Sequence, residues 1–578
     1  MYSNNKLIQQ IVYLLKANNI RKVVVSPGSR HFPLSHSLEN DKFFQLYSVV
    51  DERSAAFFAL GLIQESDEPV AICCSSGTSV ANYGSAVCEA FYQKLPLLLL
   101  TADRIPELLG QKEDQMMKQD NLFREFIKYH GQLPVINSET DEWYANRIIN
   151  EAMMELHHTG AGPVQLNYPI FEHRTDPFEV EQLPVVRKIT LHKADEDALV
   201  WADLQKKLKD KKVLILWGQS VRINDRLNKA LDKFCEEYDT VILTDRISNC
   251  THPNAVTRAF VVLKAMTIKE QEDLAPDFVI TLGGNIVFNS EIKYYLKRSG
   301  TKMQNWQVGN EVQVCDAFQK LTEMFEMNEY TFFEKMLTGK TTSAKNSYFK
   351  SWDDIASTIN EPVVGYSQLN AIGQLIAGLP KNAVLHLSNS NAIRMGHLFD
   401  IEKSVKCFCN RGVNGIDGCM STAVGYAAAA DQPVFLVIGD LTFFYDMNAL
   451  WNRHLSKKIR ILLVNNQGGA VMHLPFNNDM GSVLTKHTSA GHITSAQGWV
   501  ESIGVKYLSA HNQDELDKGI AFLTDSENEG PVLLEVFTVK DDDAATYKKY
   551  MAEINRVTLA DKAKQKAGKM IQGFFKGK

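Results

Sequence analysis

Short, unbroken apolar runs recur along this chain, and between them apolar residues return at helical spacing. Strands of a parallel sheet read this way, because helices cover both faces and leave no polar alternation. In the first third the runs are Lys22–Val25, Leu46–Val50, Val70–Cys74, Leu97–Leu100 and Val164–Leu166. In the middle they are Val213–Leu216, Val241–Leu243 and Phe278–Leu282, and in the last third Val384–Leu387, Cys407–Asn410, Val434–Ile438 and Ile459–Val464. The alternation predicts an α/β protein of three doubly wound parallel-sheet domains, over residues 1–180, 190–345 and 355–545. The stretch near 325–362 is polar and helical without a clear apolar stripe, and reads as linker. Residues 546–578 are rich in lysine with few acids, and read as a solvated basic tail.

The first and last domains repeat one another. Pro69-Val70 opens one run and Pro433-Val434 its counterpart. Leu97 lies 28 residues after Pro69, and Ile461 lies 28 after Pro433. Each half closes on Gly-Pro-Val, at Gly162–Val164 and at Gly530–Val532. An internal duplication accounts for this. Two homologous sheets can pair about a pseudo-two-fold and hold a ligand between their carboxyl edges, the edge where open α/β sheets bind.

The last domain carries the clearest chemistry. The run Val434–Ile438 ends in Gly439-Asp440, and Ile459–Val464 ends in Asn465-Asn466-Gln467-Gly468. Adjacent parallel strands would deliver the Asp440 carboxylate, the Asn466 side-chain oxygen and the Gly468 carbonyl to one place. Mg²⁺ takes such hard oxygens, completing its shell with phosphate oxygens, and glycine lets backbone approach a diphosphate. A helix-capping Asp beside an ordinary Asn turn is the plainer alternative. The pattern resembles the thiamin-diphosphate signature G-D-G…N-N, with Leu441 in place of the last glycine.

That cofactor needs a Glu to hydrogen-bond its aminopyrimidine and a bulky aliphatic residue to hold its two rings in a V. Glu52 follows Leu46–Val50 and precedes Pro69 by 17 residues; Ile416 precedes Pro433 by the same 17. The duplicated halves thus offer both side chains at matching places. Glu52 also suits the first turn of a helix, where an acid complements the dipole. Four arginines follow other strands: Arg30, Arg104, Arg394 and Arg411. The guanidinium fork binds carboxylates bidentately, so four at one cleft suit a substrate with several carboxylates. Ser76-Gly77-Thr78 adds donors at a helix start.

Net charge is −6, which gives no electrostatic case for nucleic acid. The N-terminal residues form an amphipathic helix pattern with lysines inside it, without the apolar core or cleavage site of a secretory leader. No apolar run approaches a membrane span. The nine cysteines include no C-x-x-C; they read as packed thiols rather than a metal site, with a reducing cytoplasm as the expected compartment.

The stretches SPGSRHFPL (26–34), DERSAAFFALG (51–61), SSGTSVAN (75–82), PLLLLTADRIPEL (96–108), NRGVNGIDG (410–418), GDLTFFYDMNAL (439–450) and NNQGG (465–469) together resemble one family closely. It is the 2-succinyl-5-enolpyruvyl-6-hydroxy-3-cyclohexene-1-carboxylate synthase family, thiamin-diphosphate enzymes of menaquinone biosynthesis. The resemblance implies a thiamin-diphosphate-binding fold, with a pyrimidine-binding first domain and a diphosphate-binding last domain. It implies a transferase that joins 2-oxoglutarate to isochorismate with release of CO₂. It implies thiamin diphosphate with Mg²⁺ or Mn²⁺ on Asp440, Asn466 and Gly468, and Glu52 as the catalytic residue. Cofactor contacts would come from Ser76, Gly77, Thr78, Ser388, Ser390, Gly415, Ile416, Gly439, Leu441, Thr442, Gly469, Ala470 and Val471. Substrate contacts would come from Ser29, Arg30, Arg104, Gln115, Ser390, Arg394, Arg411, Val471 and Met472. The assembly implied is a homodimer with shared active sites, or a homotetramer of two such dimers.

Two places depart from the family. A basic residue expected in the middle-domain loop is replaced by Asn289, Ser290 and Glu291, and Ile-Phe after the Asn pair is replaced by Val471-Met472. The rival readings are an acetolactate-synthase-like carboligase or decarboxylase, and a cofactor-binding protein without catalysis.

Overall fold

The computed structural model describes the chain except residues 67, 171–176, 220–222, 288, 301, 311–312, 340–345, 452, 475–483, 529 and 558–578. The basic tail therefore lies largely outside the described residues; its start belongs to the helix Lys540–Glu553. The chain forms two compact units, Met1–His192 with Val312–Met324, and Lys193–Glu311 with Phe325–Lys578.

In the first unit six strands form one sheet: β1 (Lys22–Val25), β2 (Gln45–Ser48), β3 (Val70–Cys74), β4 (Leu97–Asp103), β5 (Tyr129–Gln132) and β6 (Val164–Pro169). Their order is β2-β1-β3-β4-β6-β5, all parallel. Alternate residues of a strand face opposite ways. Val23, Ala71 and Leu98 accordingly pack with Ile8, Ile11 and Ile149, while Val24, Ile72 and Leu99 pack with Ala56, Ala59 and Val87. Both faces are dry, which is why these strands read as unbroken apolar runs.

The second unit holds two sheets. Five parallel strands of the middle sheet lie in it: β7 (Val213–Trp217), β8 (Thr240–Thr244), β9 (Ala255–Val256), β10 (Phe278–Leu282) and β11 (Gln304–Gly309), in the order β9-β8-β7-β10-β11. A Cβ on Gly218 would stand 1.7 Å from the Gly284 carbonyl oxygen, so Leu282-Gly283-Gly284 serves close approach of two strand ends. The last sheet has β12 (Val384–Leu387), β13 (Lys406–Phe408), β14 (Val434–Gly439), β15 (Ile459–Asn465), β16 (Lys506–Ala510) and β17 (Val532–Phe537). Its order is β13-β12-β14-β15-β17-β16, again all parallel.

The first and last sheets thus share one topology and also one register. Val70 pairs with Lys22 and Leu97, and Leu98 with Val164. Val434 pairs with Val384 and Ile459, and Arg460 with Val532. Pro69 and Pro433 are equivalent, and so are the two Gly-Pro-Val phrases. Leu97 corresponds to Ile459 rather than Ile461, because the crossover in the last domain is two residues shorter.

Residues 325–362 are not simply linker. The helices Glu329–Met336 and Ser347–Ala356 bury Phe332, Phe333, Met336, Tyr348 and Trp352. The edge strand β13 is closed by Asn249, whose side chain donates to Cys407 O at 3.0 Å and accepts from Cys407 N at 2.8 Å, as a further strand would. That contact, with Gln219 Nε2 donating to Cys409 O at 2.8 Å, fixes the chain leading to Arg411.

On β12, His386 is buried between Phe408 and Tyr426, and burial pushes its imidazole down to about 4. The folded state then takes up this proton later than the unfolded chain, whose His titrates near 6.5. Stability is full above that value and falls as pH drops from about 6.5 towards 4, by about 2 kcal/mol between pH 7 and pH 5. His386→Phe should therefore show a smaller drop in thermal midpoint than wild type between those pH values. An equal drop in both proteins would remove His386 as the cause.

Candidate active site

The carboxyl edge of the last sheet carries a cavity of about 210 Å³. β14 ends at Gly439, and Asp440 opens the helix Asp440–Tyr445 with its side chain buried. One carboxylate oxygen of Asp440 accepts the Leu441 N–H at 2.6 Å and the other the Gly468 N–H at 2.9 Å. These bonds clamp the end of β14 to the turn after β15. Gln467 and Gly468 have φ of +63° and +145°, and a Cβ on Gly468 would lie 2.7 Å from Ser489 O, so glycine is required there. The two asparagines divide the work. Asn465 donates to the fully buried Glu535 at 2.7 Å and serves the fold; Asn466 lines the cavity.

The cavity is also lined by Ser390, Ile416, Gly439, Leu441, Thr442, Gly468, Gly469, Ala470, Val471 and Met472. Ser388 and Gly415 are not among the lining residues: Ser388 is buried just after β12 and Gly415 is exposed, its carbonyl accepting from Asn389 Nδ2 at 2.6 Å. The same Asn389 accepts from Arg411 Nη1 at 3.1 Å. Arg411 is buried and its Nε has no hydrogen-bond partner, and Arg394 donates to Ser390 O at 2.8 Å. Burial, then the Arg411 charge, lower the Arg394 guanidinium from its usual value, against Tyr547 and Glu291. Glu291 stands on the helix Asn289–Arg298.

Several lining residues escaped the sequence reading: Gln368, Asn389, Asn391 and Thr488. Gln368 Nε2 and Asn391 Oδ1 are buried without partners, polar atoms that a polar ligand would satisfy. Behind the wall, Asp543 accepts from Asn466, and His492 Nε2 lies 3.2 Å from Asp440 Oδ2. Burial raises the Asp543 carboxyl above its usual range, while bonds from Thr538, Gln368 and Asn466 pull it back.

The first unit gathers a second set of named residues. Arg30 is buried and donates through Nε to Ser76 Oγ at 2.9 Å; that hydroxyl donates to Gln115 O at 3.0 Å. Gln115 returns a bond to Ser76 O at 3.1 Å. The Gly77 N–H is taken by Gln119 Oε1 at 2.8 Å, so two of the expected donors are committed inside the unit. Arg104 donates to Asp114 O at 2.9 Å. Burial and then the Arg104 charge push the Arg30 guanidinium down, against Asp103. Ser29 and Thr78 are exposed.

Glu52 is the first residue of the helix Glu52–Ser66 and is half-buried. The capping bond to Ser54 N comes from Asp51, so the helix has its cap without Glu52. Ile416 lies in the loop before the helix Cys419–Ala429.

The donor set fits Mg²⁺ with a diphosphate. Among the described residues no three His, Cys, Asp or Glu side chains gather as a metal site. Asp440, Asn466 and Gly468 offer hard oxygens with one carboxylate, leaving charge for the diphosphate to supply. None of the nine cysteines forms a disulfide, and seven are buried; burial pushes the Cys73 and Cys409 thiols up to about 12. The buried seven are packed rather than reactive. Among the described residues no helix is long and apolar enough to cross a membrane.

Two family models match: the N-terminal TPP binding domain of thiamine pyrophosphate enzymes over residues 5–122, and the C-terminal TPP binding domain over residues 391–536. A protein of Bacteroides thetaiotaomicron is 40% identical over 566 residues, covering 96% of this chain and 100% of its own length. One of Phocaeicola vulgatus is 40% identical, over 95% of this chain and 98% of its own length. One of Flavobacterium johnsoniae is 31% identical, over 96% of this chain and 100% of its own. All three are named 2-succinyl-5-enolpyruvyl-6-hydroxy-3-cyclohexene-1-carboxylate synthase.

Proposed function

Because the chain belongs to the 2-succinyl-5-enolpyruvyl-6-hydroxy-3-cyclohexene-1-carboxylate synthase family, we propose that it performs that synthesis. It removes CO₂ from 2-oxoglutarate and joins the remaining succinyl unit to isochorismate, as a transferase of menaquinone biosynthesis using thiamin diphosphate and Mg²⁺ or Mn²⁺. The observation that carries this reading is end-to-end identity to the named relatives together with the Asp440–Asn466–Gly468 cavity. The three domains proposed are residues 1–180, 190–345 and 355–545, and the compartment proposed is the cytoplasm.

Bound thiamin diphosphate supplies the nucleophilic carbon for the 2-oxo acid and the electron sink for loss of CO₂. The protein's part is to hold and orient. Asp440, Asn466 and the Gly468 carbonyl hold the cation. Glu52 hydrogen-bonds the aminopyrimidine, and Ile416 supports the bend between the rings. Ser76, Gly77 and Thr78 complete the pyrimidine side, and Ser388, Gly415 and the 439–442 and 468–471 turns complete the diphosphate side. Each substrate has two carboxylates, which fall to Arg30, Arg104, Arg394 and Arg411 with Ser29, Gln115 and Ser390, while Val471 and Met472 give an apolar wall. Two chains pair as a homodimer, each site drawing Glu52 from one subunit and Asp440 from the other. The duplication supports this, as do exposed apolar side chains on both units: Val50, Phe57, Phe58 and Tyr92, and Val413, Tyr445 and Trp451.

The deciding experiment supplies the protein with thiamin diphosphate, Mg²⁺, 2-oxoglutarate and isochorismate, and follows isochorismate loss and CO₂ release together. Pyruvate turnover without isochorismate consumption would instead identify an acetolactate-synthase-like carboligase. Removing Arg394 or Arg411 as alanine leaves a carboxylate unpaired, which costs roughly 2–5 kcal/mol. Apparent affinity for at least one dicarboxylate should fall while thiamin-diphosphate binding holds. Unchanged substrate kinetics in both variants would return these arginines to the fold.

A further inference from the structure

Asp543 lies in the helix Lys540–Glu553, beyond the last residue matched by the C-terminal family model, and is 1% exposed. One of its oxygens accepts the Gln368 backbone N–H at 2.8 Å. The other accepts the Thr538 hydroxyl at 2.6 Å and the Asn466 side-chain amide at 3.2 Å. An asparagine amide presents oxygen on one edge and NH₂ on the other, and a half-turn exchanges them with almost no change of shape. Only the oxygen edge binds a hard cation. Nothing within Asn466 itself selects that edge.

The geometry points to Asp543 as the positioning residue that holds the Asn466 NH₂ away from the cavity and so turns its carbonyl oxygen towards the cation. Gln368 and Thr538 supply donors to both Asp543 oxygens, so what remains of the carboxylate is acceptor surface, and Asn466 must meet it with NH₂; the longer contact of that NH₂, 3.5 Å to Gln368 Oε1, is to an amide that can itself turn over, whereas the carboxylate can only accept. The arrangement also accounts for a neutral amide at 466. A carboxylate there would be the stronger cation ligand, but it would stand against Asp543 at about 3 Å, where like charges oppose ionisation. Asp543 thereby acts on the metal through Asn466, as outer-shell partners of metal ligands do.

The inference rests on Asn466 being a metal ligand, and the test separates the two claims. Mn²⁺ binding in the presence of thiamin diphosphate, read by electron paramagnetic resonance, needs no turnover. Asp543→Asn has one acceptor oxygen, which the Gln368 N–H claims, so its NH₂ faces Asn466 and the Asn466 amide turns over. Mn²⁺ affinity should fall about 10–100-fold, with the thermal midpoint of the metal-free protein measured alongside. Asn466→Asp alone should also bind weakly, because two carboxylates meet. The double variant exchanges the roles: the new amide at 543 donates to the new carboxylate at 466, whose other oxygen faces the cation. Its Mn²⁺ affinity should return to within about threefold of wild type, a coupling that a merely structural Asp543 cannot produce. Wild-type affinity in Asp543→Asn, or a double variant no tighter than either single one, overturns the inference. If Asp543→Asn does not fold, the comparison is between Asn466→Asp and the double variant: tighter binding by the double sustains the inference, and equal binding overturns it. Asp440→Ala serves as the separate arm. Wild-type Mn²⁺ binding in that variant would overturn the metal assignment itself.

Discussion

Asp440→Ala is expected to lose metal-dependent retention of thiamin diphosphate altogether, and with it all activity. Among the described residues lining the cavity, Asp440 is the one carboxylate, so its removal takes away the only formal negative charge the wall offers a cation. A diphosphate without its cation meets uncompensated repulsion. The same side chain holds the Leu441 and Gly468 N–H groups, so alanine also frees from the end of β14 the turn after β15, which carries the other two ligands. Asp440→Asn separates the two effects, since an amide can keep one of those bonds but not the charge. Calorimetry with and without Mg²⁺ measures the result. An alanine variant that binds thiamin diphosphate with unchanged affinity and unchanged metal dependence would sink the assignment.

The sheets were legible because dry-faced parallel strands leave long apolar runs, and Val70–Cys74 and Val434–Ile438 are buried throughout. Strand ends were less so. The run at Leu46–Val50 forms a strand only over Gln45–Ser48, since β-branched character marks a strand but not where its ladder stops. The 28-residue spacing failed for a related reason: Ile459 and Ile461 belong to one apolar run, and only pairing with Val434 shows which begins the strand. Shorter, more polar strands, such as Tyr129–Gln132 and Lys506–Ala510, gave little signal. The helices at 329–336 and 347–356 had one, in the spacing of Phe332, Phe333 and Met336 and of Tyr348 and Trp352, diluted by charged neighbours. In the cavity, residues carried by a motif were found. Gln368, Asn389 and Asp543 were missed because each stands among other polar residues, as in Lys540-Asp541-Asp542-Asp543 and Ser388-Asn389-Ser390-Asn391, and only tertiary packing singles it out. Glu52 does stand in the first turn of its helix, where an acid complements the dipole, but the capping bond comes from Asp51, so the helix has its cap without the Glu52 carboxylate.

That half-buried carboxylate sets the second large effect. Glu52→Gln keeps length and hydrogen-bond reach but removes the acidic partner of the aminopyrimidine, so turnover should fall by about 10²–10⁴-fold, the range for a positioned acid–base group. Cofactor binding should survive, since Glu52 lies outside the cation-binding set; this distinguishes it from Asp440→Ala, which is inactive for want of cofactor. The two variants then test the assembly. If each site takes Glu52 from one subunit and Asp440 from the other, a mixed dimer has one site with both lesions and one with neither. Mixing equal amounts under subunit exchange should restore activity, up to about a quarter of wild type under random pairing. If both residues of a site came from one chain, every site in the mixture would keep a lesion and nothing would return. Exchange is followed independently with labelled subunits, and sedimentation of the wild-type protein separates a dimer from a tetramer. A mixture that exchanges fully and stays silent would rule out the shared site, while leaving the separate losses in Glu52→Gln and Asp440→Ala as evidence for the chemistry.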